Sequence, residues 1–300
     1  MIVEKSEGGS FHFDRIFKKP LDTICYNIKN DWDFIILITG SGMTRTGKTT
    51  LAQQIGKYCA DKLSTPFDNS NIVFGGKQLI ETSKQKPHNS VIIDDESRED
   101  MSGKRSMEYM NKTLMDFFNE CGMYNHLMIL VATDFFDFTK SIAVTRSEIL
   151  FNVTREVSKP IILKNGEEVV KLERGHVDFY DRKAKRLLYI NGKKNYDDYS
   201  LGTKYRSFYG FFDNKWIIDK EQYQKDKQIY LERERSREKK PGGAGWRYFA
   251  RTVKGLRGKG YTLKELARLS EIEYQTFKKA YDENRILDDT SSSSGGVYPI

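Results

Sequence analysis

Cysteine and histidine are scarce in this chain of 300 residues, and neither is clustered. Cys25, Cys59 and Cys121 are odd in number and scattered, which argues against a disulfide framework or a thiolate metal site. A reducing, cytoplasmic setting is the expectation. His12, His88, His126 and His176 lack ligand spacing, so each reads as a surface or hydrogen-bonded core residue. Apolar runs are short: Leu127 to Ala132 has the length of a buried strand, far below the ~20 residues of a membrane span. The first residues, MIVEKSEGGSFHF, carry no apolar stretch of the secretory kind, and no internal repeat is visible.

What remains is ample for a core. The chain is 38% hydrophobic and 31% charged, enough for one large α/β domain with one or two small appendages. Its charge is lopsided. Residues 1–150 hold 18 Lys+Arg against 20 Asp+Glu, whereas residues 151–300 hold 32 against 22, so the net +8 comes entirely from the second half. A basic half attached to a near-neutral one points to a polyanionic partner, with a merely solvated basic surface as the alternative.

One stretch orders the rest. Phe34-Ile35-Ile36-Leu37-Ile38 reads as a buried strand, and it runs into Gly42-Met43-Thr44-Arg45-Thr46-Gly47-Lys48-Thr49. That octet fits G-x-x-x-x-G-K-[ST] without a mismatch, Thr50 joins it as a nucleotide-binding residue, and Leu51, Ile55 and Cys59 continue as one face of a helix. Strand, glycine loop and helix N-terminus in this order make a cradle for phosphates, since backbone N–H groups and the helix dipole both face the anion. Lys48 is expected to reach the β- and γ-phosphates of a nucleoside triphosphate, and Thr49 to ligate Mg²⁺.

Further buried strands follow: Ile72-Val73, Val91 to Ile93, His126 to Ala132 and Ile149 to Val153, with helices expected near Gln78–Ser83 and Met107–Cys121. Alternating strands and helices predict an α/β fold with a mostly parallel sheet sandwiched by helices, whose ligands bind at the carboxyl ends of the strands. The second strand ends in Asp94-Asp95-Glu96. One aspartate, Asp95 in preference to Asp94, is expected to hold Mg²⁺ through water, leaving Glu96 to activate the attacking water. Thr133-Asp134 ends the next strand as a candidate sensor of the γ-phosphate, a helix cap being the alternative. Arg146 is also expected near those ends.

From Pro160 the texture turns basic and tyrosine-rich. Asn165-Gly166 marks a hairpin, and His176–Tyr180 with Leu187–Ile190 reads as another strand pair around the turn 181–186. The charged stretch 221–240 reads as a solvated helix, broken by Pro241-Gly242-Gly243-Ala244-Gly245. Beyond it, Thr262 to Leu269 is an amphipathic helix and Tyr274 to Asn284 a second, basic one. The pattern matches helix-turn-helix units, with Tyr274, Gln275, Lys278 and Lys279 facing duplex DNA and Lys254, Arg257 and Lys259 adding phosphate contacts. A plain helical hairpin for protein contact is the alternative. The expected divisions are 1–158 for the nucleotide-binding core, 159–220 for a β-hairpin-rich basic extension, 221–245 for the linker helix, 246–287 for a small all-α domain and 288–300 for a disordered tail.

Residues 34–153 resemble the P-loop ATPases that carry an added catalytic strand and glutamate. Within them the chain looks like the FtsK/HerA DNA-translocase branch and the zonula-occludens-toxin-like ATPases of viruses and mobile elements. The resemblance rests on GSGMTRTGKTT, VIIDDE and ILVATDFFDFTKSIAVTRSEILFNV. It implies an ATP hydrolase acting on DNA as a ring-forming translocase or packaging motor, in the host cytoplasm if virus-encoded, without a membrane span. It also implies an arginine finger at Arg146, reaching a neighbouring subunit, and a sensor near Asp134, where relatives often carry glutamine. Alternatives are a replication initiator or helicase loader, an ATP-switched DNA-binding regulator, and a small-molecule kinase.

Overall fold

The computed structural model describes residues 11–12, 14–42, 44–95, 115–118, 121–157, 161–162, 168–170, 172–199, 202–238, 252–269, 274–275, 277–278 and 281–282. Two compact units divide the chain, residues 1–230 and 231–300.

The first unit is α/β, built on a seven-stranded mixed sheet that is mostly parallel. Its strands are β1 (Phe34–Thr39), β2 (Ile72–Val73), β3 (Val91–Asp95), β4 (Leu127–Val131), β5 (Ser147–Val157), β8 (Leu172–Tyr180) and β9 (Phe208–Phe211). They lie in the order β2-β3-β4-β1-β5-β8-β9. The first five run parallel, and β8 and β9 are antiparallel to their inner neighbours. β1 is paired along both edges and its apolar run is buried on both faces, as continuous hydrophobic strands of helix-covered parallel sheets are.

Helices cover each face. α1 (Lys18–Ile28) and α2 (Lys48–Leu63) lie on one side: Tyr58 of α2 donates to Asp22 of α1 at 2.6 Å, and Gly56 of α2 sits where a Cβ would come within 3.1 Å of Ile93. On the other side, α3 (Gly76–Gln85) and α4 (Arg182–Lys194) supply Leu79, Ala184, Leu188 and Tyr189 to a cluster with Ile35, Leu37, Ile92, Met128, Leu130 and Leu150. Alternate residues of each strand thus feed opposite helix layers.

The stretch after Pro160 is in large part continuous with this sheet. β6 (Ile161–Ile162) and β7 (Glu168–Val169) form the expected antiparallel pair, with Asn165-Gly166 outside the described residues. β8 and β9, however, extend the main sheet, and across β5, β8 and β9 Phe151 meets Phe179 edge to face at 5.2 Å while Phe179 stacks on Phe208 at 4.1 Å. Leu187–Ile190, expected as a strand, lies in α4. Asp181 caps that helix, its carboxylate accepting from Ala184 N at 2.9 Å, so the supposed turn is the first helical turn. Lys185 on the same helix is fully buried; its ammonium donates to the carbonyls of Ala143 and Ser147 at 2.6 and 2.7 Å, and burial pulls its pKa down to about 7.

A long charged helix, α5 (Lys220–Glu238), follows β9. Its alternating charges predict a solvated rod, yet Tyr223 and Tyr230 are buried against Phe74, with centroids 5.7 and 5.8 Å away. Seven residues apart, the two tyrosines share one face of the helix.

The second unit has a core of its own. Residues 252–258 and α6 (Leu263–Leu269) are helical, and Val253, Leu266, Ala267, Phe277 and Tyr281 pack together. Thr262 and Glu265 form a reciprocal cap: Glu265 N donates to Thr262 Oγ1 at 3.3 Å and Thr262 N to Glu265 Oε2 at 2.8 Å. The turn at 270–273 lies outside the described residues, as do residues 283–300. Among the described residues no helix is long and apolar enough to cross a membrane.

Candidate nucleotide site

At the carboxyl ends of the parallel strands the chain leaves β1 and makes a tight loop before α2. The loop needs unusual backbone angles, and the sequence provides for them. Gly42 and Gly47 have φ of +75° and +105°, with Gly47 at the α2 N-cap, while Ser41 and Arg45 also take positive φ. A side chain at Gly47 would meet that strain and also come within 3.2 Å of the Phe212 ring.

Two neighbouring strands hold the loop open. From β4, the carbonyl of Thr133 accepts from Gly40 N at 3.2 Å and Gly42 N at 3.0 Å. From β5, Asn152 accepts from Thr39 Oγ1 at 3.0 Å and Ser41 N at 3.1 Å, and donates to Ser41 Oγ at 2.7 Å. Arg155, further along β5, donates to the Thr44 carbonyl. Lys48 folds back over the loop, its Nζ 3.0 Å from where a Gly40 Cβ would stand. Thr46 is buried, and its hydroxyl has no hydrogen-bond partner among the described residues. Such a buried orphan hydroxyl suits an anion with acceptor oxygens.

β3 brings the acid. Asp95 is buried, with its carboxylate 3.0 and 3.2 Å from the Thr49 hydroxyl. Asp94 turns to the other side of the strand, where its carboxylate accepts from Gly75 N at 2.8 Å. Alternation along the strand therefore assigns Asp95 to the loop and Asp94 to the entry of α3. A hydroxyl and a carboxylate side by side fit Mg²⁺, which takes one or two protein oxygens and completes its shell from phosphate and water. No cluster of three or more metal-ligating side chains exists among the described residues.

Asp134 lies beside Gly42, with Oδ2 3.5 Å from the position of a Gly42 Cβ. Its other oxygen accepts from Phe136 N at 2.8 Å and from the Tyr199 hydroxyl at 2.9 Å, so it caps the turn 135–137 while facing the loop. Burial, and then the Asp134 charge, push the Tyr199 phenol up.

Gly42, Thr44, Arg45, Thr46, Gly47, Lys48, Thr49, Thr50, Asp95, Thr133 and Asp134 thus converge at one sheet edge. Met43 and Glu96 lie outside the described residues. Arg146 does not join them. It precedes β5, whose Ser147 pairs with Ile35 at the start of β1, so it stands at the opposite, amino edge of the sheet. There its guanidinium pairs with Asp33 at 2.9 Å and donates to the Phe118 carbonyl. Sequence order misplaced it because a parallel strand begins where its neighbour begins.

Sequence reasoning missed Asn152, Arg155, Tyr199, Tyr223 and Lys227. Asn152 had a signal, a lone amide inside an apolar strand; the others are brought in by long-range packing. Tyr223 donates its hydroxyl to Asp95 Oδ2, and Lys227 stands 3.5 Å from the same oxygen.

In the second unit, Lys254, Arg257, Lys259, Gln275 and Lys278 are exposed and Tyr274 is half-buried; Lys279 lies outside the described residues. Arg257 lies over the Tyr281 ring and Lys264 over Tyr274 at 5.9 and 5.8 Å. No protein-family model matches the chain, and a comparison with curated proteins finds no significant match.

Proposed function

We propose that this chain is a P-loop ATPase that couples Mg-ATP binding and hydrolysis to work on DNA. One observation carries the reading: the loop 40–47 is strung between β1 and α2 at the carboxyl edge, with Thr49 bonded to Asp95 from a strand two places away. The strand between them, β4, ends at Val131, two residues before Thr133, whose carbonyl holds the loop, and this order supports the reading drawn from the added-strand class that the motifs resemble.

In this reading the N–H groups of the loop and Lys48 bind the triphosphate. Thr49 and Asp95 are the residues that would hold Mg²⁺, which when bound neutralises charge building up on the phosphate oxygens. Asp134 is assigned the role of sensing what occupies the loop, supported by Oδ2 lying 3.5 Å from the position of a Gly42 Cβ and Oδ1 accepting from the Tyr199 hydroxyl. Glu96 is assigned the water-activating role on its adjacency to Asp95. Arg146 has no part in this scheme. The basic second unit, with Lys254, Arg257, Lys259, Gln275 and Lys278 exposed, would bind duplex DNA as a helix-turn-helix-like module, and a ring of subunits would supply translocation.

ATP turnover with and without duplex DNA tests the proposal, with particle mass followed by light scattering. Lys48→Ala is expected to abolish nucleotide binding, and Glu96→Gln to keep binding while blocking hydrolysis. Strong stimulation by DNA together with ATP-dependent assembly supports a motor. Tight ATP-dependent DNA binding with little turnover marks a switch or loader instead. Wild-type protein that binds no nucleotide would end the ATPase reading.

A further inference from the structure

The segment that follows β9 bonds to β8 through Phe212 N and the Gly175 carbonyl at 2.9 Å, then turns its polar contacts to α2 and the loop after it. Asp213 and Lys215 accept from the buried Gln54 amide at 2.8 to 3.0 Å, Ile217 N donates to Gln53 at 3.3 Å, and Asp219 N donates to Asn69 at 3.1 Å. Gln53 and Gln54 belong to α2, the helix that opens with Lys48 and Thr49. The strap crosses α2 and delivers the start of α5 to Asp95. There Trp216, Phe74 and Tyr223 pack in an aromatic seat with centroids 5.1 and 5.7 Å apart.

Asp95 is buried, and a buried carboxylate depends on its partners for orientation and charge balance. Its two oxygens are treated differently. Oδ2 takes the Tyr223 hydroxyl and faces the Lys227 ammonium at 3.5 Å, while Oδ1 is the closer one to Thr49, at 3.0 Å. Two residues one helical turn apart on α5 therefore hold Oδ2, while the Thr49 hydroxyl proposed to share the metal lies within reach of both oxygens, 3.0 Å from Oδ1 and 3.2 Å from Oδ2.

We infer that α5 forms the metal-binding edge of this site, Tyr223 acting as a positioning residue that orients Asp95 and Lys227 as a fixed charge that weakens its hold on a cation. The inference rests on the nucleotide-site reading above. It assigns function to a helix whose sequence reads as a solvated linker.

The test uses the full chain, Mn²⁺ as the metal probe and ADP as the nucleotide, with bound metal counted by electron paramagnetic resonance. Nucleotide affinity is measured separately in EDTA. Tyr223→Phe keeps the ring in its seat and removes only the hydroxyl. It is expected to weaken Mn²⁺ binding by about 10–100-fold, the range seen when the group orienting a metal ligand is lost, with nucleotide affinity in EDTA unchanged. Lys227→Met removes a charge that opposes the metal and is expected to tighten Mn²⁺ binding. A helix that merely came off its seat would shift both variants the same way, so opposite signs support the proposal and a common sign overturns it. Should Tyr223→Phe fail to fold, Lys227→Met alone decides, because unchanged or weaker Mn²⁺ binding in it overturns the charge role. Wild-type protein that binds neither ADP nor Mn²⁺ would sink the underlying nucleotide site. Wild-type binding with an unaltered Tyr223→Phe variant would sink only the part assigned to α5.

Discussion

Among single residues, Asn152 has the clearest consequence. It is buried on β5, and its amide holds Thr39 and both the backbone and side chain of Ser41. Asn152→Ala leaves those groups without partners in a buried place, at a cost of about 1–3 kcal/mol. Urea unfolding should show that loss, and nucleotide affinity should fall with it, because the loop loses its anchor on one side. Arg146 gives the opposite expectation. Its partner Asp33 sits at the far edge of the sheet, so Arg146→Ala and Asp33→Ala should each lower the unfolding midpoint, the double variant adding little, while turnover per folded molecule stays unchanged. How much of the site was legible differs between these residues. The loop and Asp95 could be read because glycine spacing and strand alternation are local rules. Arg146 was misplaced because no local rule says at which end of a parallel strand a flanking residue comes to rest.

At the level of elements, α4 and α5 show what periodicity hides. Leu187-Leu188-Tyr189-Ile190 is a run too short to separate strand from helix, and the deciding residue was Asp181, whose side chain caps Ala184 N. Asp181→Ala is expected to destabilise the first unit by about 1 kcal/mol, measured as a lowered denaturation midpoint. The signal in α5 was drowned by its charges: among the described side chains of the helix only Tyr223 and Tyr230 are buried, and the aromatic ring they share comes from the distant Phe74. The five parallel strands, by contrast, were legible because each is a bounded apolar run. Burial on both faces removes the need for any alternating pattern.

For the whole molecule, acid stability has a named contributor. His126 precedes β4 and is fully buried, with Nε2 2.9 Å from the Ser83 carbonyl and its ring stacked on Tyr124. Burial lowers its pKa below the usual 6.5, so the unfolded chain takes up a proton that the folded one resists. Its contribution is fully present above about pH 6.5 and is lost as the pH falls through the depressed folded value. Urea midpoints at pH 7.5 and pH 5 should show this loss, and His126→Gln should flatten that part of the slope. The strand order carries a last consequence. Because β4 separates β1 from β3, the strands that carry the cradle and the acid stand two ladder spacings apart, about 10 Å of sheet width, which the side chains of Thr49 and Asp95 close to 3.0 Å. The sheet, not the loop, rules off that gap, and a substitution that loosens β4 would pull the two apart without altering a single residue of either.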